Sequence, residues 1–382
     1  MSERIYLDYN ATAKVRPEAE AAVLAALRIG GNPSSVHAAG RAARAAIEEA
    51  REAVGALVGS RAQDVVFTSG GSEANTLAIE SAIRKGGARR LIVGATEHSS
   101  IMETAEASGL PVEHWPVDPR GVADLGWLAD RLKTWSAVDG RPFVALMLAN
   151  NETGVIQPVA EAAALVHEAE GWLHVDAVQA VGKIPVDAGA LGADTLSYSA
   201  HKIGGPQGAG ALVVGCGTDI HKRNFGGGQE RGRRGGTENL PGIAGFGAAA
   251  RAVAASAPLD QTAWRDAAAE RLKAEADIAV LGEGAPRLSN TLSFAAAGFS
   301  SELQVMALDL AGIMVSAGSA CSSGKVKASP VLVAMGRTDL AGSSLRVSGG
   351  WASSRADWEQ FTDSWLEAFA RHRARARPLV EA

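Results

Sequence analysis

The chain has 382 residues, of which 47% are hydrophobic, so it can bury a large core and is long enough for two or three domains. Charged residues make up 21% and the net charge is −5, which excludes a general electrostatic attraction to nucleic acid or to anionic membranes. Two cysteines, Cys216 and Cys321, are too few for a disulfide framework, and no apolar run reaches the roughly 18 residues of a membrane span. We therefore expect a cytoplasmic protein.

The first part of the chain alternates between amphipathic segments and short apolar runs. The pattern predicts helices at 17–29, 39–58, 73–83, 99–107, 125–135 and 159–169. It predicts strands at 5–8, 65–68, 90–93, 112–115, 143–148, 172–175, 194–197 and 210–214. Such alternation indicates an α/β fold with a mostly parallel sheet and helices on both faces, in which ligands bind at the carboxyl ends of the strands.

The last third has a different, α+β pattern. A helical region at 243–276, broken near 256–258, precedes a strand at 290–294, a helix at 301–310, a strand at 345–348 and a final helix from 356. We interpret this region as a smaller C-terminal domain. The predicted division gives a large domain over 16–254 and a small domain made of 1–15 and 255–382, which carries the loop around Cys321.

A carboxylate and a lysine lie at the ends of two successive predicted strands. Asp176 lies in the run HVDAVQ, and Lys202 ends the next run, SYSAHK. Pyridoxal 5'-phosphate chemistry needs such a pair, because a lysine amine forms a Schiff base with the cofactor and a carboxylate keeps its pyridine nitrogen protonated. The pair therefore predicts a pyridoxal phosphate site, and we predict no metal site.

Three further turns follow predicted strands, and each has two interpretations. Gly71 and Ser72 lie where backbone amides at a helix N-terminus can bind a phosphate, although Ser72 can equally be an ordinary N-cap. His98 can stack on a flat heterocycle or be a loop histidine with its polar end in water. Asn151 can hydrogen-bond a ring oxygen of the cofactor or belong to a simple turn.

The segment 226–236 is rich in glycine and arginine, and by itself it resembles an RNA-binding segment. It is short, lacks interleaved aromatic residues and lies inside a predicted folded region, which disfavours that interpretation. A nucleic-acid-binding protein is therefore only a distant alternative.

The second half of the chain contains both cysteines and an arginine in an apolar strand, and we assign each an expected role. Cys321 lies among glycines and serines, so we expect an accessible thiol that can act as a nucleophile. Cys216, at the end of a strand, is expected to be buried, inert packing. Arg346 lies in an apolar strand, where its planar guanidinium suits either a substrate carboxylate or an internal salt bridge.

In combination these motifs resemble the cysteine desulfurases of the NifS/IscS type, in the class V aminotransferase group of fold-type I pyridoxal phosphate enzymes. The resemblance extends from Ile5 to Arg346. Its motifs are the Ser-Gly-x-x-Glu turn at 69–73, Glu97-His98, Asn150-Asn151-Glu152, Asp176-x-x-Gln179, Ser199-x-His201-Lys202, 235–239 and 318–321. The resemblance implies the type I fold of these transferases, with a mostly parallel seven-stranded sheet.

The resemblance also implies a role for each candidate residue. Lys202 forms the Schiff base and later moves protons, Asp176 pairs with the pyridine nitrogen, and His98 stacks on the ring and assists proton transfer. The residues implied to hydrogen-bond around the ring oxygen are Gln179 and Asn151. Those implied to hold the phosphate are Gly71, Ser72, Ser199 and His201, together with Thr237, which reaches the phosphate of a neighbouring subunit. Those implied to bind the substrate carboxylate are Asn32, Asn151 and Arg346.

The implied reaction converts L-cysteine to L-alanine, with Cys321 attacking the substrate sulfur and carrying it as a persulfide. The implied partners are a second subunit, in a homodimer with shared sites, and a sulfur-acceptor protein such as an iron–sulfur scaffold. Class V transaminases and selenocysteine lyases use the same scaffold and are the alternatives. Ala13, Lys325 and Lys327 depart from the usual family pattern without removing the chemistry.

Overall fold

A computed structural model describes residues 4–318 and 329–376 of the chain, so that Cys321, Lys325 and Lys327 lie outside the described residues. Its strands are β1 Ile5–Tyr6, β2 Val65–Thr68, β3 Leu91–Gly94, β4 Val112–Trp115, β5 Phe143–Met147, β6 Trp172–Asp176, β7 Thr195–Ser199, β8 Gly210–Val214, β9 Ile278–Val280, β10 Thr291–Ala296, β11 Ile313–Met314, β12 Ser316–Ala317 and β13 Ser344–Ser348. Its helices are α1 Pro17–Ile29, α2 Ala38–Ala56, α3 Gly71–Arg84, α4 Ser99–Ala107, α5 Leu125–Lys133, α6 Val159–Glu168, α7 Leu240–Ala254, α8 Thr262–Glu275, α9 Ser301–Leu310, α10 Pro330–Ala334 and α11 Arg355–Ala376.

The larger sheet has seven strands in the order β2-β8-β7-β6-β5-β3-β4. Strands β7, β6, β5, β3 and β4 pair in parallel, whereas β8 is antiparallel to both of its neighbours. Every residue of β5, β6, β7 and β8 is buried, as expected for central strands that are covered on both faces. The predicted mostly parallel seven-stranded sheet is confirmed.

The strand directions place the polar turns together. Because β2 and β7 are both antiparallel to β8, β2 runs in the same direction as the parallel strands. The residues that follow β2, β3, β5, β6 and β7 therefore meet at one edge of the sheet, where ligands bind in open α/β sheets. Helices α1 and α2 both pack closely against α7.

The smaller sheet is antiparallel, with strands in the order β12-β13-β10-β9. Its core includes Phe294, Phe361 and Trp365, all fully buried, and the rings of Phe294 and Trp365 meet edge to face at 5.1 Å. Strand β1 pairs with β11, so the N-terminal residues join this half of the molecule. We propose the division that the sequence predicts, with residues before 16 and after 254 forming the small domain.

The sequence-based interpretation was wrong about Cys216, which is exposed. Strand β8 ends at Val214, and the chain turns away from the sheet at Gly215, so the thiol reaches solvent. Strands β9, β11 and β12 and helix α10 were not predicted. In the described part of the chain, no helix has the length and apolar character needed to cross a membrane.

Candidate active site

Most of the candidate residues line one cavity of about 750 Å³ at the carboxyl edge of the large sheet. They are Gly71, Ser72, His98, Asn151, Asp176, Gln179, Ser199, His201, Lys202 and Arg346. Asn32 and Thr237 are exposed and do not line this cavity. Gly318, the last described residue before the segment that contains Cys321, does line it.

Asp176 ends β6 and is held by two hydrogen-bond donors. Its Oδ1 accepts the backbone N–H of Val178 at 2.9 Å, and its Oδ2 accepts the side-chain amide of Asn75 at 2.8 Å. The Oδ1 of Asn75 accepts in turn from Nε2 of His174 at 3.0 Å and from the hydroxyl of Ser197. Burial lowers the pKa of His174 to about 3, so this ring is neutral and carries its proton on Nε2. The network fixes the orientation of the Asp176 carboxylate.

A second carboxyl group, that of Glu97, lies deep beside this network. Its Oε1 accepts the backbone N–H of Met147, and its Oε2 has no partner among the described residues. Burial, reinforced by the negative charge of Asp176, raises the pKa of Glu97 well above its usual range. Burial at this position therefore favours the protonated form of the Glu97 carboxyl group over its charged form.

His98 is the N-cap of α4, and its protonation pattern follows from its contacts. Its Nδ1 accepts the backbone N–H of Ser100 at 3.1 Å and lies 2.9 Å from the Ser100 hydroxyl. An Nδ1 that accepts a hydrogen bond leaves the proton of the neutral ring on Nε2. Asn75 also donates to the Ser100 hydroxyl at 2.9 Å. One amide therefore contacts both Asp176 and the serine that binds His98.

Lys202 lies just beyond β7 and is held at the N-terminal segment. Its Nζ donates to the backbone oxygens of Asn10 at 2.5 Å and Ala11 at 2.9 Å. Burial, followed by the positive charge of Arg346, lowers the pKa of Lys202 to about 8, while Asp176 opposes the shift. Near neutral pH the side chain is therefore partly an uncharged amine, which is the nucleophilic form.

The N-terminus of α3 forms one wall of the cavity. Its N-cap is Gly70, which offers no side-chain cap, and Ser72 lies inside the first turn, so the N-cap interpretation of Ser72 was wrong. A Cβ on Gly71 would lie 2.8 Å from Cγ2 of Val178, which shows how closely the backbone of this turn packs. Uncapped amides at a helix N-terminus favour an anion.

His201 precedes the lysine and is partly buried. Burial, followed by the positive charge of Lys202, lowers the pKa of His201 to about 4, so the ring is neutral near pH 7. Its Nδ1 lies 3.1 Å from the hydroxyl of Thr12. A neutral ring can donate one hydrogen bond to an anion without bringing a second positive charge beside Lys202.

Arg346 forms an internal salt bridge, one of the two interpretations that its sequence allowed. It lines the cavity, and its Nη2 forms an ion pair with Oδ1 of Asp8 at 2.9 Å. Its Nη1 donates to the backbone oxygen of Asn151 at 3.1 Å, and its Nε has no partner among the described residues. The guanidinium is thus oriented by the protein and keeps donor capacity.

Comparison with known proteins decides the family. The profile of the Aminotransferase class-V family matches residues 5–361. The cysteine desulfurase IscS of Dictyoglomus turgidum is 38% identical over 94% of this chain and 92% of its own length. The chain belongs to the cysteine desulfurases of the class V aminotransferase family. The cysteine desulfurase of Cereibacter sphaeroides is 43% identical over 87% of each chain. A NifS-like protein from Rickettsia africae has a solved structure with a TM-score of 0.88 at 30% identity, covering 96% of this chain and all of that one.

The arginine- and glycine-rich loop of this desulfurase is part of its fold. Glu230 and Arg51 are each 4% exposed and form a two-point ion pair, with oxygen–nitrogen distances of 2.6 and 2.9 Å. Arg233 donates to the backbone oxygen of Gln63 at 2.7 Å, and Arg234 pairs with Glu73 at 2.8 Å. Arg231, whose side chain is 47% exposed, lies 3.4 Å from Glu48. All three arginines of the loop thus have partners within the protein, which argues against the nucleic-acid alternative.

Three polar residues beside the desulfurase cavity were missed in the sequence: Asn10, Asn75 and Lys183. Asn10 is 1% exposed, and its backbone oxygen accepts from Lys202 and from Nε2 of Gln179, the latter at 2.8 Å. Asn75 lies one turn into α3, on the side of the cavity. One sequence feature could have indicated them: each is a polar residue at a position where an apolar residue would suit the core, next to a turn already selected as a candidate.

Proposed function

We propose that this protein is a pyridoxal phosphate-dependent enzyme that converts L-cysteine to L-alanine and passes the sulfur to Cys321. The observation that carries the proposal is the convergence of Lys202, Asp176 and the uncapped N-terminus of α3 on one cavity. An amine, a fixed carboxylate and an anion site are the three features that this cofactor requires.

The residues of the cavity fit the cofactor. The tightly packed turn at Gly71, together with Ser72, Ser199 and His201, would hold the phosphate group. Asp176, fixed by Asn75 and Val178, would hold the pyridine nitrogen. When bound, pyridoxal phosphate supplies an electron sink for the negative charge that develops at the substrate Cα.

The protein's own side chains would do the proton transfers and orient the cofactor. Lys202, with a pKa lowered to about 8, can release and accept a proton near neutral pH. His98 carries its proton on Nε2 and would stack on the ring, and the amides of Asn151 and Gln179 would hydrogen-bond around the ring oxygen.

The substrate carboxylate would be held by Arg346, whose orientation is set by Asp8. Asn151, whose side chain lies at the same wall, and Asn32 would assist. In a monomer Asn32 does not reach the cavity, so we propose that its contribution depends on assembly of the subunits.

The sulfur would be taken by Cys321. Its thiolate attacks the substrate sulfur, the substrate carbon–sulfur bond breaks with its electron pair remaining on carbon, and that carbon gains a proton to become the methyl group of alanine. The product on the enzyme is a persulfide, which a sulfur-acceptor protein such as an iron–sulfur scaffold would receive. We further propose a homodimer in which Thr237, exposed in one subunit, reaches the phosphate site of the other.

Borohydride reduction tests the cofactor assignment. Reduction fixes the pyridoxal group on the lysine that carries it, and peptide mass spectrometry then identifies that lysine. We expect the label on Lys202, which lines the cavity with Asp176, and no label in Lys202→Ala. Lys183, which does not line that cavity, is the internal control. A label on Lys183, or no label on any lysine, would overturn the assignment.

A further inference from the structure

A second lysine lies next to the active site, on the far side of Gln179. The Nζ of Lys183 donates to Oε1 of Gln179 at 2.5 Å and to Oδ1 of Asn10 at 2.7 Å. Gln179 and Asn10 are 4% and 1% exposed, and Lys183 itself is partly buried. Both acceptors are neutral amide oxygens, which makes this an unusual environment for a lysine.

The two charges that most affect Lys183 are both positive. Burial, followed by the positive charges of Lys202 and Arg346, holds the pKa of Lys183 well below its usual range. Either as an amine or as an ammonium group, Lys183 can donate to both oxygens. Its contribution is therefore the pair of hydrogen bonds.

Those bonds determine which end of the Gln179 amide is free. A carboxamide has one acceptor oxygen and one nitrogen with two N–H donors. The oxygen of Gln179 is taken by Lys183, and one N–H is taken by the backbone oxygen of Asn10 at 2.8 Å. The group that remains for a ligand in the cavity is the second N–H.

We propose that Lys183 is a positioning residue of this active site, which orients the Gln179 amide so that an N–H donor, and not the carbonyl oxygen, meets the ring oxygen of the cofactor. The inference rests on the proposed function. Without Lys183 only the N–H bond to the backbone oxygen of Asn10 opposes rotation of the amide by half a turn. The rotated amide presents its oxygen, which would repel a negatively charged ring oxygen.

The same contacts link Lys183 to the lysine that we propose carries the cofactor. Asn10 accepts a hydrogen bond from Lys183 at its side-chain oxygen and one from Lys202 at its backbone oxygen. Loss of Lys183 could therefore act through Asn10 as well as through Gln179, and the experiment has to separate these two routes.

A double-mutant cycle on the reconstituted holoenzyme tests the inference. The readouts are the pH midpoint of the visible absorbance change and the affinity of the apoenzyme for pyridoxal phosphate. We expect Lys183→Met to raise the midpoint by about one pH unit, because a lost donor leaves the ring oxygen more basic, and to weaken cofactor binding about tenfold. Lys133→Met, at an exposed lysine on α5, should change neither readout.

The variant Gln179→Leu shows whether Lys183 acts through Gln179 or through Asn10. It should cause a similar shift alone, and adding Lys183→Met to it should cause no further shift, since the two residues act as one unit. A full additional shift in the double variant would overturn the inference, because Lys183 would then act through Asn10 or through its charge. If Lys183→Met does not fold, Lys183→Gln, whose shorter side chain does not span both oxygens, makes the same test.

The outcomes also separate this inference from the proposed function. A wild-type protein that develops no visible band with pyridoxal phosphate would overturn both. A normal wild-type band with an unshifted midpoint in the Lys183 variant would overturn the inference alone.

Discussion

The side-chain amide of Asn75 donates to Oδ2 of Asp176 at 2.8 Å and to Oγ of Ser100 at 2.9 Å. One buried amide thus connects the carboxylate at the end of β6 with the serine that binds Nδ1 of His98. The two residues that would hold the cofactor ring share this single support.

Replacing Asn75 should therefore weaken cofactor binding without removing any proposed cofactor contact. Asn75→Ala removes one of the two hydrogen-bond donors to the Asp176 carboxylate and leaves Nε2 of the neutral His174 without its acceptor. We expect about tenfold weaker binding of pyridoxal phosphate and a loss of about 1–3 kcal/mol in the free energy of unfolding. Calorimetric titration of the apoenzyme measures the first, with the exposed Gln63→Ala as control. Wild-type affinity in Asn75→Ala would show that the network does not position Asp176.

The lowered pKa of Lys202 predicts how quickly the apoenzyme captures its cofactor. Only the neutral amine attacks an aldehyde, so the rate should rise with pH and level off above a midpoint of about 8. Stopped-flow absorbance measures this rate, and Lys202→Ala should lack the covalent phase. A midpoint near the usual lysine value of 10.5 would contradict the described environment of the side chain.

Glu152 predicts a pH dependence of stability. Burial raises its pKa to about 7, against the opposing effects of the Ser329 hydroxyl, 2.6 Å away, and of Arg346. The folded protein therefore keeps this proton when the unfolded chain has lost it, and stability falls as the pH rises from 4.5 to about 7.

Glu152→Gln should remove this dependence, because an amide does not ionise. Relative to wild type, we expect the variant to gain about 3 kcal/mol in the free energy of unfolding between about pH 5 and pH 8. Urea unfolding at the two pH values measures the difference, with the exposed Asp130→Asn as control. An equal pH dependence in wild type and Glu152→Gln would refute the assignment.

The buried Glu230–Arg51 pair, which does not line the cavity, predicts a large effect on stability. Glu230→Gln leaves the Arg51 guanidinium without its counter-charge in the interior, and we expect a loss of about 3 kcal/mol in the free energy of unfolding. Glu359→Gln, which breaks an exposed pair with Arg355, should cost at most about 1 kcal/mol. Similar losses in both variants would contradict the burial of the first pair.

The sequence was sufficient where local pattern and chemistry coincide. The apolar runs of β5 and β6 and the polar residues that follow them, such as Asn151 and Asp176, are adjacent in the chain, so their meeting at one edge of the sheet could be predicted. Helices α4 and α9 were predicted with the bounds that the structure gives. The order of strands and the position of antiparallel β8 came only from the structure.

The unpredicted features depend on contacts between distant parts of the chain. Asn75 meets a residue 101 positions away, and Lys183 meets one 173 positions away, and no local pattern indicates such partners. Strands β11 and β12 have two residues each, too few to show a period of two. The exposure of Cys216 depends on the direction in which the chain leaves β8.

The most direct test of the account quantifies alanine and sulfide together from the reconstituted protein, L-cysteine and a reductant, without a keto acid. We predict equal amounts of both from wild type and from Cys216→Ala, and a loss of sulfide with intact cofactor absorbance in Cys321→Ala. Product formation that requires a keto-acid acceptor, or undiminished sulfide from Cys321→Ala, would contradict the claim that this protein is a desulfurase acting through Cys321.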